Sequence, residues 1–157
     1  MPRKLPYTAG DLFAVPLADA VWSVGLAART FGRGGILSYF FGNTYPEAPR
    51  LEELENVNPA GAIWITRHGD LGLLQGQWLV LGPLPGWHPD AWPVPMFRRQ
   101  ELLTGRLLGV IYQNERLDQL GHEFEIPQEQ FESPPEDGLA GAEFVRLRLR
   151  RLHGLHE

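Results

Sequence analysis

The sequence predicts a mainly β fold: an open barrel or strongly bent antiparallel sheet with one or two short helices. Three observations predict it. Residues 12–41 hold three apolar-alternating runs, joined by connections too short for a parallel crossover. Two further strand-like runs follow, Ala62–Thr66 and Gln77–Leu81. Eighteen Gly and fourteen Pro are scattered without a repeat, which divides the chain into many short elements.

In the first run, Leu12–Leu17, residues Phe13, Val15 and Leu17 share one face. Pro16 lies inside it and removes a ladder donor, which calls for an edge position or a bulge. Val21–Arg29 alternates next, with Trp22, Val24, Leu26 and Ala28 together. Gly32-Arg33-Gly34-Gly35 reads as a hairpin turn; it lacks the helix start and Gly-Lys spacing of a phosphate loop. Ile36–Phe41 is an aromatic third strand with Leu37, Tyr39 and Phe41 on one side. Three closely spaced strands make an antiparallel meander.

Pro49–Glu55 allows at most a short helix, which ends before Asn58-Pro59. The Gly-rich segment Arg67–Gly72 reads as the loop joining the strands Ala62–Thr66 and Gln77–Leu81, with Gly82–Pro85 closing the second. Residues 83–95 hold five prolines with Trp87 and Trp92, the pattern of a semi-rigid loop that packs its indoles down. Arg106–Tyr112 is another strand and Phe124–Ile126 a weak one. The tail over 143–153 fits two periods. Val145–Arg150 alternates strictly, yet Val145, Leu149 and Leu152 fall at helical spacing; the helix preference of Leu and Arg favours a terminal helix.

The 157 residues fit one domain, 1–157, able to bury a core. Trp22, Trp64 and Trp78 are expected inside it. Cysteine is absent, which excludes disulfides and thiolate metal sites. No apolar run approaches the ~18 residues of a membrane span, and no signal-peptide core follows Arg3 and Lys4. The chain therefore reads as cytoplasmic, with no membrane partner.

Charge is unevenly spread within the net −5. Residues 1–100 carry eight acidic and eight basic side chains. The acidic segment 101–145 carries ten acidic against two basic, net −8. The Arg-rich element 146–157 sets Arg146, Arg148, Arg150 and Arg151 against Glu157, net +3. An acidic band repels phosphate backbones and attracts a basic partner, so nucleic acid is not expected. The Arg cluster is expected to pair with the band.

Partner-binding carboxylates are placed at Glu52, Glu53, Glu55, Asp70, Glu115, Asp118, Glu123 and Glu125, because loops and short elements between strands present contact residues. His68-Gly69-Asp70 and His88-Pro89-Asp90 form a second constellation. If their loops met, the four side chains would hold a divalent metal or form a base with its orienting carboxylate, the centre of a small metal-dependent hydrolase. The same spacing arises in ordinary turns, where Asp bonds its own backbone. No nucleophile elbow, phosphate loop or zinc-binding helix is present, so no catalytic residue and no cofactor is assigned. Trp22, Trp64 and Trp78 with Tyr39, Phe40 and Phe41 supply enough aromatic surface for a cationic cage or a peptide-binding module, although core packing explains their alternation.

Gly10-Asp11-Leu12-Phe13-Ala14-Val15-Pro16-Leu17, the strand Ala62–Thr66, Gly76–Pro85 and Pro95-Met96-Phe97 together resemble the immunity protein twenty-six family, over roughly residues 7–100. The resemblance implies a protein, encoded beside a bacterial polymorphic toxin, that binds and neutralises that toxin stoichiometrically. It supplies no catalytic residue: Gly10, Trp78, Pro83 and Pro85 look structural. The family name has also been attached to a small phosphotriesterase, which is the enzyme alternative.

Overall fold

The computed structural model describes residues 4–113 and 116–155. The expected meander is its centre: β1 (Asp11–Ala18), β2 (Val21–Phe31), β3 (Gly35–Tyr45) and β4 (Ala62–Gly69) pair antiparallel in chain order. After the one-turn helix α1 (Leu71–Leu74), β5 (Leu79–Pro83) returns to the far side of β1. The strands on either side of residues 70–78 are therefore not neighbours. A smaller sheet holds β6 (Phe97–Gln100), β7 (Leu107–Gln113) and β8 (Arg116–Glu125) in sequence order. Then come α2 (Gln128–Phe131), the two-residue β9 (Leu139–Ala140), parallel to β4 at Arg67 and His68, and α3 (Ala142–Leu152). The large sheet thus runs β5-β1-β2-β3-β4-β9 and stays open at both edges.

The large sheet is strongly bent. On a flat sheet, β1 and β4 would lie three strand spacings apart, about 14 Å. Phe13 of β1 and His68 of β4 nevertheless bring their ring centroids to 6.2 Å, and Phe13 meets Phe40 of β3 edge-on at 5.8 Å. The sheet curls around this face. Gly25 of β2 is paired with both Phe13 and Phe40, and a Cβ there would sit 2.7 Å from one ring and 2.8 Å from the other. Its missing side chain is the space into which the rings close.

Both faces of this sheet are buried. On the concave side Phe13, Val15, Leu17, Ile36 and Phe40 are covered by Leu73, Trp78 and, from α3, Val145 and Leu149. Trp78 stacks on Phe13 at 5.7 Å, so it leaves the strand predicted for it and β5 begins only at Leu79. On the convex side Leu12, Val24, Leu26, Tyr39 and Phe41 lie under Trp92, Trp87 and Leu84 of the Pro-rich strap, with Leu51 and Leu54 from the turn after β3. Leu37, near the start of β3, packs instead on Phe97, Val110 and Leu117 of the small sheet. Burial on two sides explains why β3 is buried without a break from Ile36 to Phe41.

Local expectations resolve as follows. Pro16 sits at a bulge, since the β1–β2 register shifts between Pro16 and Ala18, and pairing with β5 ends at Ala14. The tail is helical, with Val145 and Leu149 inward and Leu152 exposed. Trp78 is buried, whereas Trp22 and Trp64 are half-buried. Among the described residues no helix is long and apolar enough to cross a membrane.

Gly25→Ala drives a methyl into two packed rings and is expected to cost about 1–3 kcal/mol in urea unfolding. Gly69→Ala, where a Cβ meets nothing within 4 Å, is the matched control and should change stability by less than about 0.5 kcal/mol. Equal effects of the two would contradict the packing described.

Candidate functional site

Consecutive side chains of a strand point to opposite faces, and at the end of β4 this sends His68 and Arg67 into different layers. His68 enters the concave core and is fully buried. Its Nδ1 lies 2.8 Å from the Gly69 carbonyl, which can only accept, so Nδ1 carries the proton. Nε2 then accepts from the Ser38 hydroxyl at 2.7 Å. Burial lowers the His68 pKa from 6.5 to about 4, against the opposing effects of the Gly69 carbonyl and the Asp70 charge. This His–Ser pair resembles a nucleophile and its base, but Ser38 is also fully buried and no substrate reaches it.

The residues proposed as metal ligands do not converge. His68 belongs to β4 rather than to a loop, because its polar atoms are satisfied inside the core. Asp70 is only 8% exposed and accepts the Tyr7 hydroxyl at 2.6 Å. Burial first, then that carboxylate, push the Tyr7 pKa up. Asp70 is therefore committed inside the fold, a correction to its placement as a partner-facing carboxylate. His88 and Asp90 are exposed on the Pro-rich strap over the opposite face, where the Asp90 N–H donates to His88 Nδ1 at 3.2 Å. Among the described residues no three of His, Asp and Glu are grouped so as to hold a metal ion.

Arg67 turns to the convex side and joins the small sheet to the large one. Its guanidinium donates to the Leu117 carbonyl at 2.9 Å, to Tyr112 Oη at 2.9 Å and to Asp137 Oδ1 at 3.2 Å. It also lies 4.0 Å above the Tyr112 ring, whose hydroxyl donates to the same Asp137 oxygen at 2.6 Å. Burial, reinforced by Asp137, pushes the Tyr112 pKa up to about 12. Around Asp137 the chain pairs first with β6, through Arg98 and Glu136, and then with β4, through Leu139.

The remaining predicted carboxylates form two separate groups. Glu52, Glu53 and Glu55 are exposed on the turn after β3, with Glu53 bonded to Arg50 at 2.8 Å. Asp118, Glu123 and Glu125 belong to β8 in the small sheet; Glu123 pairs with Arg99, and Glu125 with Arg106 at 2.6 Å. The two groups are anchored at opposite ends of β3, one beside Tyr45 and the other over Leu37. Glu115 lies outside the described residues. Of the terminal arginines, Arg148 meets Glu136 at 3.3 Å and Arg146 meets Glu143 at 2.6 Å.

The aromatic cage does not open either: Tyr39, Phe40, Phe41 and Trp78 are core residues. Trp64 lines a surface cleft of about 290 Å³ with Leu139 and Phe144, and the Arg148 guanidinium sits 6.0 Å from its ring.

One surface feature escaped the sequence reading. Leu102 and Leu103, at the tip of the hairpin joining β6 to β7, are 100% and 101% exposed. The available signal was two adjacent leucines between Glu101 and Thr104-Gly105, outside any alternating run.

Fold and surface together define a bent-sheet β domain whose surface includes two groups of carboxylates, a cleft beside Trp64 and a fully exposed apolar hairpin tip. Residues 8–106 match the Immunity protein 26 family, and the chain belongs to that family, which implies an immunity protein. The match spans β1 to β6 and reaches the hairpin tip. No curated protein matches the chain. No solved structure matches it.

The buried His68 makes stability depend on pH. Its folded pKa of about 4 lies below its ordinary 6.5, so the unfolded chain takes up the proton first as pH falls. Its contribution is complete above about pH 6.5 and is lost progressively down to about pH 4. Between pH 7 and 5 that loss is roughly 2 kcal/mol. Urea unfolding of His68→Gln at the two pH values should show a pH dependence smaller by that amount; an unchanged dependence would place the imidazole in water.

Proposed function

We propose that this protein acts in the cytoplasm by binding a cognate toxin effector domain and occluding its working surface, without chemistry of its own. Membership in the Immunity protein 26 family over residues 8–106 is the observation that carries the reading. The charge distribution supports a basic toxin: residues 107–145, beyond the matched span, carry nine acidic side chains against Arg116 alone, net −8. Carboxylates of this kind steer a basic partner from a distance and suppress wrong partners.

Of the predicted contact residues, Asp118, Glu123 and Glu125 share β8, Asp118 near its start and the other two at its end, while Glu52, Glu53 and Glu55 share the turn after β3. Long-range steering acts on association, and screening shortens its reach to ~8 Å at physiological ionic strength. A rim carboxylate therefore contributes mainly to the association rate.

The test uses the effector domain encoded in the neighbouring open reading frame. Association measured from 0.05 to 0.5 M salt should slow by about tenfold or more. Asp118→Asn with Glu125→Gln should flatten that salt dependence if β8 faces the toxin, and a combined Glu52, Glu53 and Glu55 to Gln variant should do so if the other turn does. Association indifferent to salt and to both variants would remove electrostatic steering from the account.

A further inference from the structure

We propose that the β6–β7 hairpin tip, Leu102-Leu103, is an apolar plug that enters a basic-rimmed cleft of the toxin. This rests on the reading of the chain as an immunity protein.

The tip is held rigid by contacts that leave both leucines out. The Glu101 N–H donates to the Arg106 carbonyl at 2.9 Å, and the Gly105 N–H donates to the Glu101 carbonyl at 2.9 Å. The Thr104 hydroxyl donates to the Glu101 carboxylate at 2.8 Å and accepts from the Arg106 N–H at 3.2 Å. Gln100 donates to the Gly105 carbonyl at 3.2 Å, and Arg106 reaches across to Glu125 at 2.6 Å. Gly105 has φ +72°, a conformation that suits glycine and lets the chain reverse here. A loop closed by its own polar groups has no internal use for two fully wetted leucines. Adjacent large apolar side chains on a pre-formed turn are poor for solubility and well suited to binding, because little ordering remains to be done when they dock.

Charge around the tip specifies its receptor. Glu101 and Glu125 flank the base, bridged by Arg106. Glu129 lies in the first turn of α2, three residues after Ile126, whose N–H bonds the Leu107 carbonyl. Arg99 shares the Leu108 rung with Glu125 and pairs with Glu123, so four carboxylates against two guanidinium groups give an apolar tip with a net acidic collar. The complement is an apolar cleft rimmed by Lys or Arg, a shape suited to an enzyme that binds an anionic substrate. Leucines seated in such a cleft would exclude that substrate, while the collar meets its basic rim.

The experiment titrates the neighbouring effector domain with the unmodified chain, with Leu102→Ser/Leu103→Ser, and with Asp19→Asn, an exposed residue of the β1–β2 turn in the large sheet, as a control. Both leucines lack intramolecular contacts, so the double variant should keep the parent's unfolding temperature. Its binding should weaken by about 100-fold, mainly through faster dissociation; the control should dissociate at the parent's rate. Binding by the double variant within threefold of the parent overturns the plug and leaves the immunity reading intact. A parent chain that fails to bind the effector overturns the immunity reading, and the plug with it. Sedimentation of the chain alone supplies the remaining outcome: a dimer abolished by the double variant would make the tip a self-contact and overturn the proposal.

Discussion

The arrangement of layers depends on one buried cation. Arg67, near the end of β4, is hydrogen-bonded to β7 through Tyr112, to β8 through Leu117, and to Asp137 between the two sheets. An arginine with its side chain 10% exposed is costly to bury unless its charge is paired and its donors are used. The pairing here reaches three segments, of which the one around Asp137 continues into the β4–β9 ladder, whereas β7 and β8 meet the large sheet through apolar contacts. Those contacts, Leu37 and Phe31 against Phe97, Val110 and Leu117, are non-directional and would tolerate sliding. The planar fork of the guanidinium does not, so it fixes where the small sheet lies.

Position follows from that anchor. The stretch through Glu136 and Asp137 leaves β6, passes the Arg67 guanidinium and joins β4 as β9, after which α3 begins and covers the concave core. The same docking orients the β6–β7 hairpin and the carboxylates of β8. The family match ends at residue 106, whereas Tyr112, Leu117 and Asp137 lie beyond it. Arg67 thus ties the matched framework to the segment that carries most of the acidic charge.

Much of the framework was legible in the sequence, and the failures have a common cause. The first three strands, the Gly32–Gly34 turn, the Pro16 bulge and the terminal helix all show as local periodicity or turn chemistry. Residues 67–72 read as a loop because Arg, His, Gly and Asp are polar or flexible. The burial of Arg67, His68 and Asp70 depends on Asp137, Ser38 and Tyr7, which are remote in the chain. Strand β6 reads Phe-Arg-Arg-Gln and β9 is two residues long, so neither has room to display a period. Strand β8 is interrupted by bulges opposite Ile111 and Tyr112, which breaks its alternation. The carboxylates were visible as charge, but not their division between two ends of β3. The leucine tip shows in the sequence only as two adjacent leucines outside any alternating run, a pattern from which exposure cannot be read.

The claim that Arg67 and Asp137 anchor the small sheet is tested most directly by hydrogen exchange of Asp137→Asn, followed by mass spectrometry. Removing one partner of a buried ion pair costs about 3–5 kcal/mol, and the loss should fall on the unit that the pair holds. The account predicts that peptides covering β7 and β8 exchange at least about tenfold faster while β1 to β3 keep their protection. Unchanged exchange in β7 and β8, or an equal loss in all strands, would contradict it.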